Sequence, residues 1–421
     1  MCVGLPARVM KIQNGMALVD ASGAKREVSA ALIDELDPGD YVMVHAAWPL
    51  PRLLTTMPMK PTTFWRTWID GRRKKRTALD IIKNYDGPKI RIMEVCGTHT
   101  HEIFRLGIRQ ILPKQVDVIS GPGCPVCVTP VGYIDQALWL ALEKGVTVCT
   151  FGDLVRVPGS SMSLADARSK GAHVEIVYSP LDAYEYAKAH RDEEVVFLAV
   201  GFETTTPPSC LAVKQALADG LTNFSLLTAN KTMPMAYEAM KGSADAFLYP
   251  GHVDAVMGTK AGEAMVKEGM SGVVAGFTAK ELLTAFAVIL AKFPQGKPFF
   301  KNCYPRVVTE TGSLSAQALM AEYMEPCDSE WRGLGVIPKS GLQLREEFSA
   351  CDARKKYGIP KMDGRANPGC RCGDILQGKC KPPECPLFGK LCTPEHPVGA
   401  CMVSHEGACS AYYLYGGNAH E

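Results

Sequence analysis

The chain has 421 residues, of which 47% are hydrophobic and 21% charged, with a formal net charge of +2. That length supplies material for several buried cores, and the near-neutral balance leaves no broad basic surface for nucleic acid. No apolar run reaches the about 18 residues that a membrane helix needs. The N-terminus has no basic segment leading into a long apolar run, so no signal peptide is expected.

Residues 1–48 read as short strands. "ARVMKIQ", "MALVDA", "KREVSA" and "YVMVHAA" are separated by Asn-Gly, Ser-Gly and Pro-Gly-Asp turn signals. The spacing predicts a small all-β, OB-like barrel, assigned to residues 1–60. From 49 to about 76 the pattern breaks into prolines, tryptophans and the basic run "GRRKKR". A solvated linker is assigned to 61–86. Between 87 and 349 short apolar runs alternate with helical patterns. "KIRIMEVCG" and "VDVISGPG" read as strands, "HTHEIFRLGIRQIL" and "VGYIDQALWLALEKG" as helices, and "VTVCTFGD", "EVVFLAVGFE", "FSLLTANK" and "GVVAGF" as further strands. The alternation predicts two α/β lobes with largely parallel sheets. Residues 350–421 are rich in Cys, Gly and Pro with little periodicity, and such a domain needs a metal or another staple.

Ligands of open α/β sheets sit beyond the carboxyl ends of strands. Cys96 and His99 follow "KIRIMEV", Cys124 and Cys127 follow "VDVIS", Asp153 follows "VTVCTFG", and Glu203 follows "VVFLAVGF". An acid at a strand end is commonly a helix cap or a turn residue. Four strand ends offering thiols, an imidazole and carboxylates together describe an active cleft.

Sixteen cysteines are many for a chain with no export signal. In a cytoplasmic setting clustered thiols read as metal ligands or redox groups rather than as structural disulfides. Cys124 and Cys127 in "GPGCPVC" suit a zinc knuckle, a dithiol redox pair or half of an iron site. Seven more cysteines fall between 370 and 409. Cys370, Cys385, Cys392 and Cys409 have the spacing C-x14-C-x6-C-x16-C. Four thiolates hold either zinc or a [4Fe–4S] cluster, and the long irregular spacings are easier to reconcile with the cluster. Cys372, Cys380 and Cys401 are left over, as idle thiols or as a pair exchanging electrons with a cluster. Cys149, Cys210, Cys303, Cys327 and Cys351 read mostly as small buried hydrophobes. Neither a G-x-x-x-x-G-K-[ST] loop nor a G-x-G-x-x-G opening a helix is present.

"MCVGLPARVMKI" and "YVMVHAA" resemble the HypC family of hydrogenase-maturation chaperones. From about residue 88 the chain resembles the HypD family, through "EVCGTHTHEI", "GPGCPVCVTP", "TFGDLVRVPGS", "GFETTTPP" and the cysteine-rich tail to "EGACSAYYLY". A HypC–HypD fusion is the expectation. One departure is "HAAWPLPRLL", which stands where HypC proteins continue into an acidic helical tail.

The resemblance implies an assembly site for the Fe(CN)2CO group of [NiFe]-hydrogenases. By motif, Cys2 is an iron ligand once Met1 is removed, with His45 as its partner. Cys96 faces the same iron with His99 beside it. Cys124 and Cys127 correspond to the redox dithiol, and Asp153, Glu203 and Glu406 to cleft positions. Cys370, Cys385, Cys392 and Cys409 correspond to [4Fe–4S] ligands, and Cys372 and Cys401 to the adjacent thiol pair. The implied partners are a HypE/HypF cyanide-donor complex and the hydrogenase large-subunit precursor, with no nucleic acid and no membrane. Whether the scaffold counts as an enzyme is left open. An iron–sulfur-dependent disulfide reductase and a zinc-stapled scaffold are the competing readings.

Overall fold

The structure is a computed structural model that describes residues 5–13, 16–21, 24–29, 37–39, 41–45, 48–53 and 76–416. The N-terminal strands β1 (Leu5–Gln13), β2 (Met16–Ala21), β3 (Ala24–Ser29), β4 (Tyr41–His45) and β5 (Trp48–Leu53) form one antiparallel sheet, ordered β3-β2-β1-β4-β5. It stands where the small all-β barrel was expected. Alternation places Ala7 and Val9 of β1, Ala17 and Val19 of β2, Val28 and Val42 in one small core. β5 was read as the start of irregular chain because of Pro49 and Pro51. It is an edge strand, where a missing N–H costs little.

Residues 54–75 lie outside the described part. The helix Ala78–Lys83 falls within the stretch read as linker. Thr77 closes its first turn with Asp80 in a capping box, and Ile82 is fully buried.

The first lobe is built on β6 (Ile90–Glu94), β7 (Val116–Ser120), β12 (Ala246–Pro250), β13 (Gly272–Ala275) and β14 (Phe300–Asn302). These are all parallel, in the order β14-β13-β12-β6-β7. The second lobe carries β8 (Thr147–Thr150), β9 (Val174–Ile176), β10 (Val195–Gly201) and β11 (Phe224–Lys231), also parallel. An antiparallel hairpin, β15 (Met324–Trp331) and β16 (Gly335–Leu344), extends it beside β11. The sheets are therefore largely parallel, as expected, but the lobes interleave. The chain passes from the first to the second, returns for β12–β14, and crosses again for the hairpin.

β10, "VVFLAVG", is buried at every position, which is why it reads as an unbroken apolar run. β12, β14 and the hairpin were not anticipated. β15, "MEPCDSEW", is half-exposed and polar, so its alternation passes for loop. "HTHEIFRLGIRQIL" is two helices, Gly97–Arg105 and Ile108–Ile111, because Gly107 between them adopts φ +64°. The C-terminal region consists of loops and short helices, among them Cys372–Leu376, Ala400–Val403 and Ala408–Tyr415, whose apolar residues join the large core to which both lobes contribute. Cys149, Cys210 and Cys351 are buried, and Cys303 and Cys327 half-buried. No described helix is long and apolar enough to cross a membrane.

Candidate functional site

The strand ends of the two lobes meet the C-terminal region at one place. Cys96 caps the helix Gly97–Arg105 just beyond β6. The chain after β7 passes so close that a Cβ on Gly123 would lie 2.1 Å from the Cys96 nitrogen. A Cβ on Gly97 would meet Glu406 Cβ at 2.6 Å and Cys124 Cβ at 3.2 Å. Only glycine permits both approaches. His252, on the helix that follows β12, brings Nδ1 to 4.0 Å from Cys96 Sγ.

His99 is fully buried and tilted against Phe277. Its Nε2 lies 3.2 Å from the Ala275 carbonyl and 3.1 Å from that of Gly276. Two acceptors assign the proton to Nε2. Nδ1 is left as a buried lone pair without a hydrogen-bond partner. Burial pulls the pKa down to about 4, so the ring is neutral at physiological pH.

The second lobe supplies carboxylates. Asp153 Oδ2 accepts from Ser404 Oγ at 3.0 Å, and Ser404 Oγ also receives the Glu406 N–H at 3.3 Å. Glu406 Oε1 accepts from Thr98 Oγ1 at 3.0 Å. The "SHEGAC" loop thus bridges both lobes. Glu203 Oε1 accepts from the Met233 N–H at 2.8 Å, while its Oε2 is buried with no partner. Burial raises the Glu203 pKa to about 7. Asp254 is raised by burial and by the Glu203 charge, and Tyr237 by burial beside Asp254, Glu203 and Cys96.

All fifteen described cysteines are thiols. Cys124 caps the helix Pro125–Val128, its sulfur accepting from the Cys127 N–H at 3.2 Å. The two sulfurs lie 2.6 Å apart. Cys401 adjoins Cys127, Cys372 and Cys409, and Cys372 adjoins Cys370. Burial pushes Cys127 up, whereas hydrogen bonds, that from Cys127 foremost, hold the Cys401 thiol well below its ordinary value. Cys370, Cys385, Cys392 and Cys409 line one small cavity with Cys372 and apolar side chains. A Cβ on Gly399 would press on the sulfurs of both Cys370 and Cys372 at 2.7 Å. Cys380 is half-buried and is not among that lining. Among the described residues no three His, Cys, Asp or Glu side chains are arranged round a single metal ion.

Every expected site residue of the α/β lobes and tail therefore falls into this one region. Cys2 lies outside the described residues. His45 ends β4, its backbone opposite Trp48, and its side chain is not described. His252, Asp254 and Tyr237 were missed. "PGHVDAV" follows the short strand β12, so the strand-end rule would have found His252 had "AFLYP" been read as a strand.

These features define a class: a two-lobed α/β protein whose site is made of thiols, imidazoles and buried carboxyls and carries no phosphate-binding loop. The match to known families makes it specific. Residues 73–416 match the HypD model, described as the hydrogenase formation hypA family, and residues 1–52 match the HupF/HypC family. The chain is 42% identical over 360 residues to the hydrogenase maturation factor HypD of Azotobacter vinelandii, covering 82% of this chain and 95% of that protein. It is 43% identical over 361 residues to HypD of Cupriavidus necator, with the same coverage. Against HypD of Escherichia coli it is 44% identical over 332 residues, 77% of this chain and 89% of the other. The chain belongs to the HypD family of hydrogenase maturation factors, joined to a HypC-type segment at its N-terminus.

Proposed function

We propose that this protein is the scaffold on which the Fe(CN)2CO group of a [NiFe]-hydrogenase is assembled and from which it passes to the large-subunit precursor. The iron is cargo. Cys2 and Cys96 hold it from two modules, with His45 and His99 beside them. Soft thiolates suit low-valent iron with strong-field ligands. His99 keeps an unpartnered Nδ1 lone pair, which supports a ligand role. Cyanide arrives from a HypE/HypF donor complex, and the setting is the reducing cytoplasm.

The observation that carries this reading is the unbroken row of thiols from Cys370 through Cys372, Cys401 and Cys127 to Cys124. The row ends against Gly97, the residue after Cys96. Such a row serves reductive chemistry at Cys96. Thiol–disulfide exchange moves two electrons along it. The Cys401 thiolate attacks Cys127 of an oxidised Cys124–Cys127 pair, forming a Cys401–Cys127 bond and releasing Cys124. Cys372 then attacks Cys401, forming the Cys372–Cys401 disulfide and releasing Cys127. The protons given up by Cys401 and Cys372 end on Cys124 and Cys127.

Cys370, Cys385, Cys392 and Cys409 suit a resident [4Fe–4S] cluster. The support is four soft donors round one largely apolar cavity, with Gly399 keeping clear the space in front of Cys370. When bound, such a cluster supplies single electrons.

Infrared spectra of the anaerobically purified protein, co-expressed with its partners, test the proposal. Stretches of one metal-bound CO and two CN groups are expected, and are lost in Cys2→Ala and in Cys96→Ala. Undiminished bands in both variants would sink the assembly-site reading. A brown protein without bands would point to a disulfide reductase.

A further inference from the structure

The tip of the β15–β16 hairpin, Trp331–Gly335, is wedged between the dithiol helix Pro125–Val128 and the helix Cys372–Leu376. Trp331 anchors it, fully buried, stacked on Phe202 at 5.8 Å and donating Nε1–H to Ser340 Oγ at 2.7 Å. On the far side Gly333 lies against Gly373, where an added Cβ would come within 2.2 Å of the Gly373 Cα.

Arg332 sits between these two contacts. Its backbone N–H donates to the Val128 carbonyl at 2.8 Å, and its Nε to the Thr129 carbonyl at 2.7 Å. Both acceptors belong to the turn that carries Cys127. The remaining arm of the fork is different. Nη2 is buried and has no hydrogen-bond partner, and the residue lines the same cavity as Cys370, Cys372 and Gly399. A buried donor with nothing to donate to is costly. A half-buried cation pinned on one side, with a buried N–H left over in the wall of a cavity that Cys370 and Cys372 also line, calls for an anionic acceptor there.

We infer that Arg332 is a positioning residue of the electron pathway: pinned to the dithiol turn through Nε, it donates Nη2–H to the sulfur of Cys370 when that cysteine ligates the cluster. The inference rests on the cluster assignment made above. Hydrogen bonds and positive charge at cluster sulfurs favour the reduced, more negative form and raise the reduction potential. The planar fork of Arg332 is what lets one side chain serve both ends, and lysine lacks it.

The test uses the full-length chain purified without oxygen. Iron and labile sulfide are counted first, then the midpoint potential is titrated with the spin-resonance signal of the reduced cluster as readout. Arg332→Gln is expected to keep the cluster and shift the potential to more negative values. Arg332→Lys, which keeps the charge and loses the fork, is expected to shift less. Arg365→Gln, an exposed position on the rim of the same cavity, is expected to stay at the wild-type value. A loaded Arg332→Gln protein at the wild-type potential overturns the inference. Where the glutamine variant loads no cluster, a loaded lysine variant at the wild-type potential overturns it equally. A wild-type protein with neither iron nor sulfide overturns the cluster assignment itself, and the inference with it.

Discussion

Lys231 shows what burial does to a single charge. It is 2% exposed, with Nζ donating to Ser329 Oγ and to the Glu330 carbonyl, both at 2.6 Å, above the Trp331 ring. Desolvation lowers its pKa from 10.5 to about 7. The unfolded chain keeps this proton up to the higher value, whereas the folded protein releases it near the lower. Between the two the unfolded state binds more protons, so this group's contribution to stability rises with pH and is lost as pH falls toward 7. The melting temperature of Lys231→Met relative to wild type is therefore expected to decline steadily from pH 7 to pH 10. A constant difference would show that Lys231 stays charged in the fold. Gly399 makes a second residue-scale prediction. Its missing Cβ leaves room for two sulfurs, so Gly399→Ala should cost about 1–3 kcal/mol through overpacking. It should also lower iron and sulfide content per chain. Spacing pointed to the four cysteines beside this glycine, yet nothing in the sequence singled out the glycine. Its constraint comes from atoms 27 and 29 positions earlier in the chain.

At the scale of elements, the hairpin was the part least legible beforehand. Its strand β15 exposes every second residue, and its composition resembles that of a loop. Yet its tip joins the dithiol turn to the cysteine-rich region. Gly333 has φ +81°, and its α-carbon abuts Gly373. Gly333→Ala combines a left-handed backbone penalty of roughly 1–2 kcal/mol with a backbone clash. The expected result is a lower melting temperature, with thiols of the Cys372–Leu376 helix alkylated faster than in wild type. A change in melting temperature alone would place the damage in the hairpin and not at its contact. The parallel strands, by contrast, announced themselves. β10 is enclosed on both faces and must be apolar throughout. The helix beyond β6 was read too long because Gly107 ends it through backbone conformation, without a break in hydrophobicity.

For the whole molecule, the N-terminal sheet and the lobes differ in the material of their cores. Among the described side chains the sheet's fully buried ones are Ala and Val, whereas the lobes bury Phe, Tyr, Trp, Ile and Leu. A small core of small residues yields little stability. Calorimetry of the full chain should show two transitions, the sheet melting first. The second should be unchanged in a chain beginning at residue 73, since the HypD relatives match this chain over 95% of their own length without that segment. A single transition shifted by the truncation would mean that the sheet and the lobes unfold as one. The sequence alone determined that a HypC-type segment precedes a HypD-type one, the parallel character of the lobes and the placing of Cys96, Cys124 and Cys127 at strand ends. Those follow from periodicity, from turn residues and from thiols at strand ends, all of which are local. Only the tertiary structure decided that the lobes interleave, that six thiols from three separate segments gather in one place, and that His252 meets Cys96 while Arg332 lines the cavity of Cys370 and Cys372. Those depend on contacts across more than 100 residues of chain, and close approach through Gly97, Gly123 and Gly399 leaves no mark in local pattern.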